Sequence, residues 1–228
     1  VPQVNPARGL RRIELSTDAP EATADFYSQL LGWSVLAEPD DVFGGWVGDR
    51  LAVHISPGEG GWRLVFGGTP ARPLHHGAAA DRGRVLHGPW APEPRPGEPC
   101  WVELAGEADA DDHYTAELGW HVREVDTTTL YEAELDAARR AVAGRCAADG
   151  DLAAGWLVYF SVPDVAAAAA IAVELGGSVV VAPHTAHTGL AAAIAAPAGG
   201  VVGVLQAPAG WGGSLATTTT AGPVEAMP

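Results

Sequence analysis

Polar and apolar residues alternate one for one from Arg12 to Ser16, the period of a strand with one buried face. The period then changes. Phe26 with Leu30, and Tyr27 with Leu31, are apolar pairs four apart, which places them on one side of a helix. Asp18 and Glu21 have the spacing of an N-cap with its capping box, Pro20 suits the first turn, and Gly32 suits the C-cap. WSVLAEP then reads as a second strand. The same order returns downstream: CWVELAG as strand, EADADDHYTAEL as helix, Gly119 as cap and WHVREV as strand. FYSQLLGWSV and HYTAELGWHV share Tyr, Leu, Gly, Trp and Val in register, at an offset of 114 − 27 = 87 positions from Tyr27 to Tyr114.

A second echo links GWRLVFGG (Gly61 to Gly68) with GWLVYFSV (Gly155 to Val162). After the latter come Pro163 and Asp164, a helix VAAAAAIAVEL, Gly176-Gly177, and the strands SVVVAP, GLAAAIAAP and VVGVLQAP. That is a complete strand-helix-strand-strand-strand unit. After GWRLVFGG the prolines at 70, 73, 89, 92, 94 and 96 oppose a helix, so this quarter reads as eroded, with one or two strands near GRVLHGPW. APEPRPGEP reads as a linker between domains. GWGGSLATTTTAGPVEAMP has no periodicity and reads as a loose or draped tail.

The chain therefore resembles four βαβββ modules, two per domain, with the second degenerate. This layout is similar to the vicinal oxygen chelate superfamily of glyoxalases, extradiol dioxygenases and bleomycin-resistance proteins. Within it the chain looks like the tandem glyoxalase-like proteins often labelled "hydroxylase". The markers are FYSQLLGW, HYTAELGW and VYFSVPD with GGSVVVAP and APAGGVVGVLQAP, and the resemblance covers residues 10–208. It implies an α+β fold of two cupped half-barrel domains, residues 1–97 and 98–210, followed by an irregular tail, 211–228. One module makes a half-sheet open on one face, and two side by side close a cup around a cavity.

Alternation sorts the side chains. Ile13, Leu15, Leu64, Phe66, Val102, Leu104, Val158, Phe160 and Val162 belong under the helices. Arg12, Glu14, Ser16, Arg63, Val65, Trp101, Glu103, Leu157, Tyr159 and Ser161 face the cups. The resemblance implies His or Gln at the first inward position of each first strand and a Glu in the last strand, together holding a divalent metal. Those positions are here Arg12, Arg63, Trp101 and Leu157, and Gly203. None is a customary ligand. The expectation is no metal and no other cofactor, which weighs against glyoxalase, epimerase and ring-cleaving readings.

Charge narrows the partners. Asp plus Glu number 28 against 13 Lys plus Arg, a net charge of −15, which repels nucleic acid and anionic lipid. No apolar run of about 18 residues predicts a membrane span. VPQVNPARGLRR has no signal-peptide core, and the two cysteines, Cys100 and Cys146, lack metal spacing, so a reducing, cytoplasmic setting is expected for a monomer or homodimer.

The candidate chemistry is acid/base. Glu14 and Glu103 occupy equivalent inward positions and could act as bases, or could simply pair with Arg12 or Arg63. His54 and Tyr159 complete the candidate catalytic set. Arg12, Arg63, Trp101, Leu157, Ser161, His184 and His187 are candidate substrate contacts, with Trp101 offering a stacking face and HTAHTG bordering the pocket mouth. His75 and His76 are expected in solvent. Trp33 and Trp120 are expected to fill the seam between helix and sheet. This favours a metal-independent enzyme that cyclises, eliminates or isomerises a bulky apolar or aromatic small molecule, plausibly in secondary metabolism such as antibiotic biosynthesis. The alternatives are a protein that sequesters an antibiotic, and a metal enzyme with displaced ligands drawn from His54, Glu14, His184 or His187.

Overall fold

The computed structural model describes residues 6–126, 128–147 and 154–217. Residues 218–228, the rest of the expected tail, lie outside the described residues. In the first half the order is β1 (Leu10–Thr17), α1 (Pro20–Leu31), β2 (Ser34–Glu38), β3 (Val42–Val47), β4 (Arg50–Pro57), β5 (Gly61–Gly67), β6 (Arg72–Pro73) and β7 (Ala79–Asp81). The second half runs β8 (Pro99–Ala105), α2 (Asp109–Leu118), β9 (His121–Val125), β10 (Thr128–Leu135) and β11 (Ala138–Cys146). It continues with β12 (Gly155–Val162), α3 (Val165–Glu174), β13 (Ser178–Ala186), β14 (Gly189–Ala195) and β15 (Val201–Gln206).

Among the described residues these strands make two mixed sheets, ordered β2-β3-β4-β1-β5-β7-β6 and β13-β14-β15-β12-β8-β11-β10-β9. The fold is α+β, and each sheet joins two modules through an antiparallel pair of first strands, β1 with β5 and β8 with β12. Within a complete module the last strand runs parallel to the first and sits beside it: β4 beside β1, β11 beside β8, β15 beside β12.

The helices form where the periods placed them, and their ends show why. Gly32 and Gly119 close α1 and α2 in the left-handed region, at φ 72° and 66°, where glycine pays no steric penalty. Asp164 caps α3 by accepting from Ala167 N at 2.9 Å. The start of α1 differs from expectation. Asp18 makes no cap bond to the helix, and Thr17 Oγ1 instead accepts from Ala19 N at 3.3 Å. The eroded quarter also differs: its strands are Arg72–Pro73 and Ala79–Asp81, and the 83–90 stretch contributes only a bridge from His87 to Leu10.

The buried core is continuous between the two sheets, much of it on their helix side. Trp33 and Trp120 are buried there as expected, Trp33 against Tyr27 and Phe160 and Trp120 against Phe66 and Tyr131. Where the second module lacks a helix, the segment around β6 packs on α2. Arg72 pairs with Glu117, and His75 stacks on His113 at 3.6 Å between ring centres. The Pro-rich linker is stapled to both sheets. Glu98 is fully buried and takes Arg50 at 2.8 Å and Arg95 at 2.9 Å, while Gly97 N donates to Ser161 O at 2.7 Å. No helix among the described residues is long and apolar enough to cross a membrane.

Candidate functional site

Strand alternation delivers Glu103 of β8 and Tyr159 of β12 to the face of the second sheet away from the helices. Tyr159 Oη donates to Glu103 Oε2 at 3.1 Å. Burial and the facing carboxylate push the Tyr159 phenol far above its ordinary range, so it stays protonated and acts as a donor. The third member comes from afar. His187 stands in the turn between β13 and β14, and its Nε2 lies 3.0 Å from Glu103 Oε1. On the other side of the ring, His187 Nδ1 is 3.4 Å from Thr128 Oγ1 at the start of β10. Glu103 is 5% exposed, yet its Oε1 has no aligned hydrogen bond; the contact with His187 is close but off-axis.

Glu103 and Tyr159 border a cavity of about 480 Å³. Its lining includes Glu103, Cys146, Leu157 and Tyr159 from the second half of the chain and Trp62 and His76 from the first. The wall combines apolar side chains with a few polar groups, the usual make-up of a small-molecule site. Alternation identifies Glu103, Leu157 and Tyr159. It gives no hint of Cys146, Trp62 or His76, since each joins the cavity through strand pairing or loop packing distant in sequence. His75 and His76 are exposed as expected, but His76 also lines this cavity and sits 3.4 Å from Tyr114 Oη.

The other expected residues are placed differently. Trp101 is fully buried, and its ring is covered by Trp211, at 6.0 Å between centres, and by Gly212. It has no open face for stacking, because the chain beyond β15 folds back over it. Trp211 Nε1 donates to Val142 O at 3.0 Å and Gly212 N to Cys100 O at 2.8 Å, so the start of the expected loose tail is docked. His184 does not join His187. It lies exposed on β13, with Nδ1 3.0 Å from Ala182 O. Ser161 is buried beneath the linker.

In the first sheet Glu14 is held by Arg12, and by Arg63 at 3.7 Å, while Arg12 also reaches Asp81 at 3.0 Å. Glu14 thus follows the ion-pair alternative. His54 is beside Glu14 in the β1–β4 register, and its Nε2 lies 3.5 Å from Glu38 Oε1. His54 and Glu14 belong to one sheet, His184 and His187 to the other, so the displaced-ligand set does not assemble.

With this geometry in view, comparison decides the family. Residues 9–204 match the Glyoxalase/Bleomycin resistance protein/Dioxygenase superfamily. The chain belongs to that superfamily. Similar solved structures include 2,2',3-trihydroxybiphenyl 1,2-dioxygenase from Sphingomonas wittichii strain RW1, with 13% identity and a TM-score of 0.58 over 89% of this chain and 90% of that one. The 2,3-dioxygenase LapB from Pseudomonas sp. KL28 aligns with 12% identity and a TM-score of 0.59 over 88% and 93%. The Mn(II)-bound glyoxalase from Novosphingobium aromaticivorans aligns with 11% identity and a TM-score of 0.57 over 87% and 82%. At such identities the likeness is one of fold. No curated protein matches the sequence.

The superfamily makes a divalent metal worth testing against these side chains. The positions that would supply ligands in the second sheet carry Trp101, Leu157 and Gly203, and Tyr159 fills the space over Gly203. Among the described residues no group of three or more His, Cys, Asp or Glu side chains is arranged to hold a metal. The donor set does not fit such an ion.

Proposed function

We propose that this member of the superfamily is an enzyme that works by acid/base chemistry, without a metal, on a bulky apolar or aromatic small molecule bound in the 480 Å³ cavity. The observation that carries the reading is Glu103: a buried carboxylate on the cavity wall with one oxygen that no aligned protein donor satisfies. Such an oxygen is an acceptor for a substrate proton. Tyr159 holds the other oxygen and, being protonated, orients the carboxylate without competing as a base. His187, within reach of Glu103, serves as the exchange point for that proton. Removing and returning one proton suits an isomerisation, elimination or cyclisation. The reading places the proton-handling residues in a second domain of residues 98–210, while the first, residues 1–97, contributes Trp62 and His76 to the cavity lining.

The test begins with mass spectrometry of the small molecules that copurify with the protein. Turnover of the recovered compound, or its uptake of deuterium from D₂O, is then compared across variants. Glu103→Gln is expected to cut the rate by about 10²–10⁴-fold while binding persists. An undiminished rate in Glu103→Gln would sink the proposal. Tight binding with no exchange even in the wild type would favour sequestration, which needs the cavity and no base.

A further inference from the structure

The turn between β6 and β7 contributes His76 and Gly77 to the cavity lining. Its backbone closes on itself: Leu74 N donates to Ala78 O at 2.9 Å and Ala78 N to His75 O at 3.1 Å. At its tip His76 is held in the left-handed region, at φ 53°, which a residue with a side chain seldom adopts. The contacts that hold it come from α2. His75 N donates to His113 Nε2 at 3.2 Å, and the two imidazoles lie face to face, 3.6 Å between centres and 3° from parallel. Tyr114 Oη donates to His75 O at 2.9 Å and accepts from Trp156 Nε1 at 2.8 Å. Trp156 also lines the cavity, so one hydroxyl joins the turn, the helix and the cavity wall.

These contacts need a neutral ring on His113. A backbone N–H can only donate, so His113 Nε2 has to keep its lone pair, and an imidazolium has none to offer. Two imidazolium rings stacked at this distance would also repel. Three groups that are or become cationic face His113 from β6 and the turn: Arg72, His75 and His76. Against them stand Glu117, already paired with Arg72, and Asp109, one helical turn before His113. Burial in the stack, and then the neighbouring His75, holds the His113 pKa below the ordinary histidine range.

We infer that the 74–78 turn is a pH-sensitive flap on this cavity, held against α2 while His113 is neutral and released when His113 takes a proton. With the turn released, His113 binds a proton as an ordinary histidine does; with the turn held, it binds one less readily. Protons therefore favour the released form, and release sets in as the pH falls below about 6.5. The Arg72–Glu117 pair keeps its charges through that range and fixes β6, so the movement is confined to the turn. The inference rests on the reading above only in taking this cavity as the ligand site, and it asks nothing of Glu103.

Hydrogen exchange and NMR of the full chain, with no ligand added, test the flap. The protection of the His75 amide, corrected for the intrinsic pH dependence of exchange, is expected to fall at least about fivefold between pH 7.5 and pH 5, the worth of one net hydrogen bond. The Trp156 indole N–H resonance is expected to shift over the same range, because Tyr114 loses its acceptor. His113→Phe keeps a stacking ring and removes both the acceptor and the charge. In that variant His75 protection is expected to be low at both pH values, and the Trp156 signal to stay in place between them. Equal protection at both pH values in the wild type overturns the inference, as does a pH response that survives in His113→Phe. So does a loss of His75 protection with an unmoved Trp156 signal, which would confine the change to one exposed bond. Neither turnover nor a ligand enters these measurements, so their outcome is independent of the Glu103→Gln result.

Discussion

The ring of Tyr159 occupies the space that a side chain at Gly203 would need. The two residues are partners in the β12–β15 register, and a Cβ built on Gly203 would fall 2.2 Å from Tyr159 Cδ1. The last-strand position where the family resemblance places an acidic ligand is therefore both unfilled and sterically closed. Gly203→Ala is expected to cost about 1–3 kcal/mol in denaturant unfolding, the usual penalty for overpacking. In a Tyr159→Ala background that cost should fall toward zero, a coupling that a double-mutant cycle measures directly. Gly203→Glu should expel the Tyr159 ring and break its bond to Glu103 rather than rebuild a metal site.

Trp211 anchors the chain after β15. Its indole lies against Trp101 and donates to Val142 O, and three residues further on Ser214 N donates to Thr188 O at 3.0 Å. That last bond ties down the turn that carries His187. Trp211→Ala should destabilise the protein by about 3 kcal/mol. It should also move the His187 imidazole signals in NMR spectra, which a mutation confined to a detached tail would leave in place.

His87 makes stability depend on pH. It is buried beside Leu51 O, and desolvation pushes its pKa down to about 4. The unfolded chain binds this proton below about pH 6.5, while the folded chain refuses it until about pH 4. The unfolded state thus binds more protons in that window, and stability falls as the pH drops through it. The loss attributable to this one group is about 3 kcal/mol between pH 7.5 and pH 4. His87→Gln should remove that part of the slope, as read from urea midpoints across the range. An unchanged slope would contradict a buried neutral imidazole.

Glu98 fastens the linker. Its carboxylate is fully buried between Arg50 and Arg95, so Glu98→Ala leaves two guanidinium groups short of their partner. A loss of about 3 kcal/mol is expected, read by thermal or chemical unfolding. The cleavage rate of the 91–99 segment in limited proteolysis should rise with it.

How far the site could be read beforehand depends on the range of the contacts that build it. Glu103 and Tyr159 follow from period two within single strands, and their approach to each other follows from pairing first strands of adjacent modules. His187 reaches Glu103 only because the β13–β14 turn closes over β8, and Thr128 reaches His187 from β10. The HTAHTG motif draws attention to His184 and His187 together, yet they part, because one lies on the strand and the other in its turn. The strands of the eroded quarter are two and three residues long, too short to carry a period, and the expectation near GRVLHGPW missed them.

Local periodicity, glycine caps and the echo of FYSQLLGW in HYTAELGW suffice to set the modules and the side of each strand that meets a helix. They suffice because each rests on contacts within a few residues, where chain geometry leaves few choices. The pairing of Glu103 with Tyr159 and His187, the covering of Trp101 by Trp211 and the closing of the space over Gly203 come from tertiary structure alone. Each depends on which residues stand opposite across strands far apart in the chain, and on how much volume their neighbours leave.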